Sequence, residues 1–324
     1  MTLPSIADHV ARLAILASMW GTLAMALLLL ILVMRRDRKE RNRAAAEANS
    51  RSLTREIMAA LPGTEPTGDA YREASPEQRL AAVSHLSRLV RGEDRARLTA
   101  FVDRHDLVDK VLAKTRRRRT ARRVDAVRAL GGVGGAQAVA ALQDMLRNDR
   151  ALPVRLEAAA MLARLEALPP ASVLLDALAL EEVAITPLHH ALFRALAPHR
   201  ADELLGLARR RFPPALQALI VDALGWTDDY STLGAIEGAS RSPEAEVRLA
   251  ALAAGTKLNH PAAVKWIMPL LSDPEQGVRA QAVRACATMG LRTALPAIDA
   301  KREDPSRWVR LRANEAVAAL GGVA

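Results

Sequence analysis

A chain of 324 residues that is 50% apolar but only 3% aromatic, and rich in Ala, Leu and Arg, suits long helices better than sheets, because strands favour the β-branched and aromatic side chains that are scarce here. The single cysteine, Cys286, excludes an intramolecular disulfide and any multi-cysteine metal site, and fits a reducing compartment. The net charge of +10 admits nucleic acid or anionic lipid as a partner.

In chain order, residues 1–12 form a short leader, followed by an uncharged run from Leu13 to Met34. Its 22 residues, as a helix, are long enough to cross about 30 Å of hydrocarbon, and a helix satisfies its own backbone groups as lipid demands. A cleaved signal peptide fits poorly: the leader carries Asp8 and one basic residue, Arg12, and a densely charged stretch stands where a small-residue cleavage site belongs. Arg35, Arg36, Arg38, Lys39, Arg41 and Arg43 follow the span. This imbalance predicts a single-pass protein with its N-terminus outside and its long C-terminal part in the cytoplasm. The same juxtamembrane cluster is placed to touch anionic head groups.

Residues 35–61 read as a helix, with Leu53, Ile57, Met58 and Leu61 on a narrow apolar face suited to a partner helix, a second copy or the first repeat. Pro62 to Ser75 reads as a flexible linker. Beyond it, residues 76–324 are periodic. Val247-Arg248, Val278-Arg279 and Val309-Arg310 stand 31 residues apart, and Val154-Arg155 lies three further periods upstream. Each clear unit opens on Asp-Pro or Ser-Pro and places an apolar residue eleven positions after the valine, three helical turns along one face. A Gly or Asn then precedes a second helix, such as Pro261 to Leu271 or Thr293 to Lys301. Asp273-Pro274 and Asp304-Pro305 read as helix starts with Asp as the cap. Ile185 and Leu196 keep the grid without the arginine, the Thr115–Asn148 unit has Arg119 in the valine place, and Arg211–Ser240 carries a Trp226–Tyr230 insert. Roughly eight units are expected, the last having only its first helix.

DPEQGVRAQAVRACATMG and DPSRWVRLRANEAVAALGG closely resemble HEAT repeats of the short bacterial, PBS-lyase HEAT-like type, over about residues 75–324. The resemblance implies an all-α solenoid. It also implies a structural ladder in which Asp273, Arg279, Asp304 and Arg310 link successive units.

Relatives of this kind include enzymes. Bilin lyases would need a modifying site beyond the repeats, and di-iron hydroxylases use His-Glu pairs, whereas no histidine here is followed by Glu. His189-His190 points two rings about 100° apart, a poor joint metal site; one ring is expected toward solvent and one toward a neighbouring helix. Cys286 reads as a small buried hydrophobe. Gly131-Gly132-Val133-Gly134-Gly135 reads as an interhelical turn without the Lys-Ser/Thr of a phosphate loop. No catalytic residue, metal or cofactor is expected. The sharper candidate is a basic cluster free of acids: Lys110, Lys114, Arg116, Arg117, Arg118, Arg119, Arg122 and Arg123. An acidic protein or anionic lipid suits it, or it is simply a solvated turn. Nucleic acid is disfavoured, because the charge is confined to one unit and stacking aromatics are scarce. Gln143, Asp176, Glu237, Lys265 and Asp299 are expected on a wall formed by the second helices. The resulting expectation is a non-enzymatic scaffold or adaptor at the bacterial inner membrane, with a modifying enzyme and a nucleic-acid binder as rivals.

Overall fold

The computed structural model describes residues 19–20, 25, 28–30, 32–35, 48–115 and 119–321. Among them there is no strand, and no helix is long and apolar enough to cross a membrane. Most of residues 13–34 lie outside the described set. Those that are described there are helical, and their large apolar side chains stand open, Trp20 at 66% and Val33 at 62% exposure. The chain divides into two compact units, residues 1–107 and 108–324. The division therefore falls later than the 62–75 stretch read as a linker.

In the first unit, helical residues 48–60 (α1) bury Leu53, Ile57 and Ala60, with Leu61 just beyond, and leave Met58 exposed. Met58 had been expected on the buried face. It sits one position, about 100°, past Ile57, and the stripe actually buried repeats every fourth residue. The 62–75 stretch is corrected too: it contains a short helix, α2 (Asp69–Glu73). Two contacts fix it. Glu56 Oε2 accepts the Tyr71 N–H at 2.8 Å, and the buried Tyr71 ring lies edge-on to Phe101 and His105. Ser75 and Gln78 then form a capping box at the start of α3 (Pro76–Leu86), which packs with α4 (Glu93–Arg104).

α5 (Leu107–Thr115) carries the chain into the second unit. There follow α6 (Thr120–Val133), α7 (Gly135–Asn148), α8 (Leu152–Arg164), α9 (Ala171–Ala177), α10 (Pro187–Leu196), α11 (Ala201–Ala208), α12 (Pro214–Leu224), α13 (Leu233–Ala239), α14 (Ala245–Leu258), α15 (Val264–Ile267), α16 (Gln276–Thr288), α17 (Leu295–Asp299) and α18 (Arg307–Ala319). These are helix pairs in series. The first helices stack in one row, α6 on α8, then α10, α12, α14, α16 and α18, and the early second helices α7, α9 and α11 stack in another. The eleven-residue spacing is buried at both ends at Val247 and Leu258 and at Val309 and Leu320, whereas Leu165 and Met289, eleven positions after the buried Val154 and Val278, are half-buried.

Local chemistry departs from the simplest reading in three places. Asp273 and Asp304 do not cap α16 and α18 directly. Each carboxylate takes the N–H two residues on, Glu275 or Ser306, in a turn that precedes the helix. The late second helices are short α-segments flanked by 3-10 turns, such as Pro261–Ala263 and Met268–Ser272 around α15. Pro269, lacking an N–H, interrupts the α ladder there. The glycine run at 131–135 is not all turn: α6 continues through Val133, and Gly134 and Gly135, at φ 72° and 82°, make the bend into α7. Gly131 lies within α6 and serves close packing, since a Cβ there would lie 2.6 Å from the Met161 side chain.

Candidate functional site

The second unit is organised by arginine forks. In α14, Arg248 donates through Nε and Nη2 to the two oxygens of Asp273, both at 2.8 Å, while Nη1 reaches the Ser242 and Pro243 carbonyls. One repeat on, Arg279 grips Asp304 at 2.9 and 2.8 Å, and its Nη1 reaches the Asp273 and Pro274 carbonyls. Arg310 repeats the Nη1 contacts, to the carbonyls of Asp304 and Pro305. These bonds join Asp273, Arg279 and Asp304, and Arg310 stands at the end of the series.

Two carboxylates of this series titrate low. Burial raises Asp273, but bonds from Arg248 and the Glu275 N–H outweigh it and hold the group below the usual carboxylate range. The Arg279 bond, against opposing burial, does the same for Asp304.

Upstream, the same device appears where the sequence pattern did not mark it. Arg123 is buried and forks onto Asp149 at 2.8 and 3.0 Å. This takes Arg123 out of the basic cluster and places Arg122-Arg123, not Arg119, at the Val-Arg station of that unit. Arg155 donates instead to the Ala177 carbonyl at 2.6 Å, the next turn having no aspartate to offer. Of the other cluster members, Lys110, Arg119 and Arg122 are exposed. Arg116, Arg117 and Arg118, and the side chain of Lys114, lie outside the described residues. In the juxtamembrane cluster Arg35 is exposed, and Arg36, Arg38, Lys39, Arg41 and Arg43 lie outside them.

A further polar group sits where the periodicity breaks. Asp222, buried inside α12, accepts from Arg194 at 2.7 and 3.0 Å and lies 3.2 Å from His190 Nδ1. Burial raises its pKa, yet the bonds from His190 and Arg194 prevail and hold it low. The Arg194 guanidinium and the Lys257 ammonium flank the Trp226 ring at 5.2 and 4.4 Å. This cluster therefore ties α10, α12 and α14 together in place of a regular fork. A lone aspartate in the apolar run ALIVDALG signals it in the sequence, since a buried carboxylate requires partners.

His189 is buried and accepts the Thr186 N–H at its Nδ1, 3.1 Å away, closing a capping box at the start of α10. Burial first, then the neighbouring His190, lowers its pKa. Cys286 is fully buried, and burial pushes its thiol up to about 11. Among the described residues no group of three or more His, Cys, Asp or Glu could hold a metal ion. Of the expected wall residues, Asp176, Lys265 and Asp299 are exposed, Glu237 is half-buried, and Gln143 is half-buried with its amide on the Ala167 carbonyl. In the first unit, α1, α2 and α3 line an open cavity of about 1010 Å³ that includes Leu53, Glu56, Asp69, Gln78 and His85.

With this geometry in view, the family model for HEAT repeats matches residues 232–318, the stretch running through α13 to α18. No curated protein matches the chain. Among solved structures 27 chains match. Human deoxyhypusine hydroxylase in complex with glycerol is 17% identical over 86% of this chain and 98% of its own, with a TM-score of 0.34. Two engineered proteins are 15% and 14% identical, over 83% and 84% of this chain and 79% and 98% of theirs, with TM-scores of 0.36 and 0.26. At these values the likeness assigns no residue a role.

Proposed function

We propose that this chain is a non-enzymatic scaffold whose repeat unit holds a protein partner close to a bacterial inner membrane. The observation that carries the reading is the series of arginine forks: Arg123, Arg248 and Arg279 each tie one repeat to the next, giving a stiff surface that presents side chains rather than a reaction centre. Exposed polar residues on second helices, such as Asp176, Lys265 and Asp299, supply contacts of the kind such arrays use.

The membrane tether rests on the uncharged run Leu13–Met34, on the open apolar side chains described within it, and on the basic residues that follow. Anionic lipid at Arg35 and its neighbours, or an acidic protein at Arg119 and Arg122, fits the charge.

The test is recovery of partners with full-length tagged protein from its own host after gentle solubilisation, beside a variant with Arg116, Arg117, Arg118 and Arg119 changed to Ala. A specific protein in near-stoichiometric amount supports the scaffold. Nucleic acid recovered by the wild type and lost in the variant replaces it with the nucleic-acid reading, and absence of any partner returns the question to an enzyme. Alkaline extraction of membranes tests the tether: the full chain is expected to stay in the pellet and a chain lacking residues 1–34 to be released.

A further inference from the structure

Exposed arginines continue beyond the 110–123 cluster along one edge of the second unit. Each second helix runs back to the start of its own first helix, so the turns leading into α8, α10 and α12 follow one another beside the start of α6. Two contacts between neighbouring turns mark this edge. Arg123, near the start of α6, reaches Asp149 before α8, and Arg210, before α12, stands 3.7 Å from Glu181 before α10.

Arg119 and Arg122 are exposed at the start of α6, and Arg147 and Arg150 at the end of α7 and in the turn after it. Arg209, Arg210 and Arg211 are exposed in the turn after α11. With packed helices about 8–10 Å apart, the row from α6 to α12 spans roughly 24–30 Å. Glu181 and Glu182 are the exposed acids of these turns. Later turns differ, because there the exposed charges are mixed: Arg241 with Glu244, Glu275 beside the held Asp273, and Arg302 with Glu303. The positive edge is therefore a local property of the α6–α12 stretch and not a consequence of the repeat. It also corrects the expectation that the positive charge is confined to one unit.

We propose that this edge rests on an anionic membrane surface, with lipid phosphates taking the arginine guanidinium groups. Three features favour lipid over nucleic acid. The edge offers no open aromatic for stacking a base: Phe212 is half-buried, with the Arg210 guanidinium 4.7 Å over its ring. Glu181 and Glu182 split the row, and a phosphate backbone laid along it would cross them. A fluid bilayer instead gathers anionic head groups opposite the arginines and leaves neutral ones opposite the glutamates. Finally, a chain tethered through Leu13–Met34 keeps its repeat unit near the bilayer, and a contact of modest strength then suffices. The inference rests on the tether in the scaffold reading and gives the repeat unit a definite edge to set against the membrane.

The test places the full chain in lipid nanodiscs of phosphatidylcholine, alone or with about 30% phosphatidylglycerol. A donor dye sits on Asn148→Cys, an exposed site between Arg147 and Arg150, with the buried Cys286 changed to Ala. The acceptor is a lipid labelled on its head group. Energy transfer is expected to be higher in the anionic discs and to fall back in about 0.5 M salt. Changing Arg147, Arg150, Arg209 and Arg211 to Gln should lower the ratio of docked to free edge about tenfold or more. Changing four exposed cations elsewhere in the unit, Arg164, Lys265, Arg284 and Arg292, to Gln is expected to leave the transfer as it was. Equal transfer in the two discs, or equal loss in the two variants, overturns the proposal. Binding of a duplex of about 20 base pairs, lost in the edge variant and with no response to phosphatidylglycerol, makes the occupant nucleic acid instead. The tether is read separately, by whether the chain stays with the neutral discs. If it does not, the tether falls, and the edge survives only if the chain joins the anionic discs through these four arginines.

Discussion

Asp273 shows how a conspicuous motif residue can be fully committed to structure. Its carboxylate is nearly out of water, accepts two bonds from Arg248 and one from the Glu275 N–H, and so is ionised at a low pKa. Removing it leaves the Arg248 fork buried without a ligand, so Asp273→Ala is expected to cost about 2–4 kcal/mol in urea unfolding. Glu315→Gln breaks the open pair with Arg312 and is expected to produce no measurable loss. Acid adds a second test. The folded pKa values of Asp222, Asp273 and Asp304 lie below the unfolded value of about 3.9, so their stabilisation is complete above that value and is lost as pH falls through the folded ones. His189 is also depressed, so the unfolded chain takes up its proton first and stability declines as pH falls below about 6.5. Unfolding free energy measured from about pH 7 to about pH 3 should therefore fall gently and then steeply; a flat curve would remove these groups from the account. Cys286, buried with a thiol pushed up to about 11, should resist a thiol reagent in the native protein and react at once in denaturant.

At the scale of the element, the irregular unit is the instructive one. α12 ends at Leu224, and Gly225 stays at φ −68°, so its freedom is not used for a left-handed turn. Asp228, at φ 53°, takes that role. Gly225 is needed for proximity: a Cβ there would lie 2.5 Å from Ala254 Cα, on the backbone of α14. Backbone cannot move aside as a side-chain tip can, so Gly225→Ala should destabilise the protein by about 1–3 kcal/mol, read by thermal or urea unfolding. The Trp226–Tyr230 insert follows from the same break: once the chain turns early, Trp226 reaches Arg194 and Lys257, and Tyr230 reaches His260. The sequence marked the interruption, but the pairing of Asp222 with Arg194, 28 positions upstream, had no period to reveal it.

For the whole molecule, stability in a row of repeats is a sum over neighbours. α14 is packed between α12 and α16, whereas α18 has α16 on one side of its row. Amide hydrogen exchange should therefore be faster across α18 than across α14, graded along the row. Uniform protection throughout residues 108–321 would mean instead that the second unit opens as one. The membrane tether belongs to this scale as well: its carrying feature is an uninterrupted length of uncharged residues, a property of composition that needs no tertiary contact.

What the sequence by itself determined is what depends on period and local chemistry: an all-helical array, the 31-residue register, the Asp-Pro turns, and the candidate ladder residues Asp273, Arg279, Asp304 and Arg310. Those signals lie within a few turns of chain, or recur at a fixed step, and so survive in one dimension. Only the tertiary structure decided that Arg123 belongs to a fork rather than to a basic surface. The same holds for Tyr71 pinning a helix inside the supposed linker and for Asp222 drawing Arg194 and His190 together. Each depends on which side chain faces which neighbour across adjacent helices. Burial and direction set that choice, and the spacing of letters does not encode them.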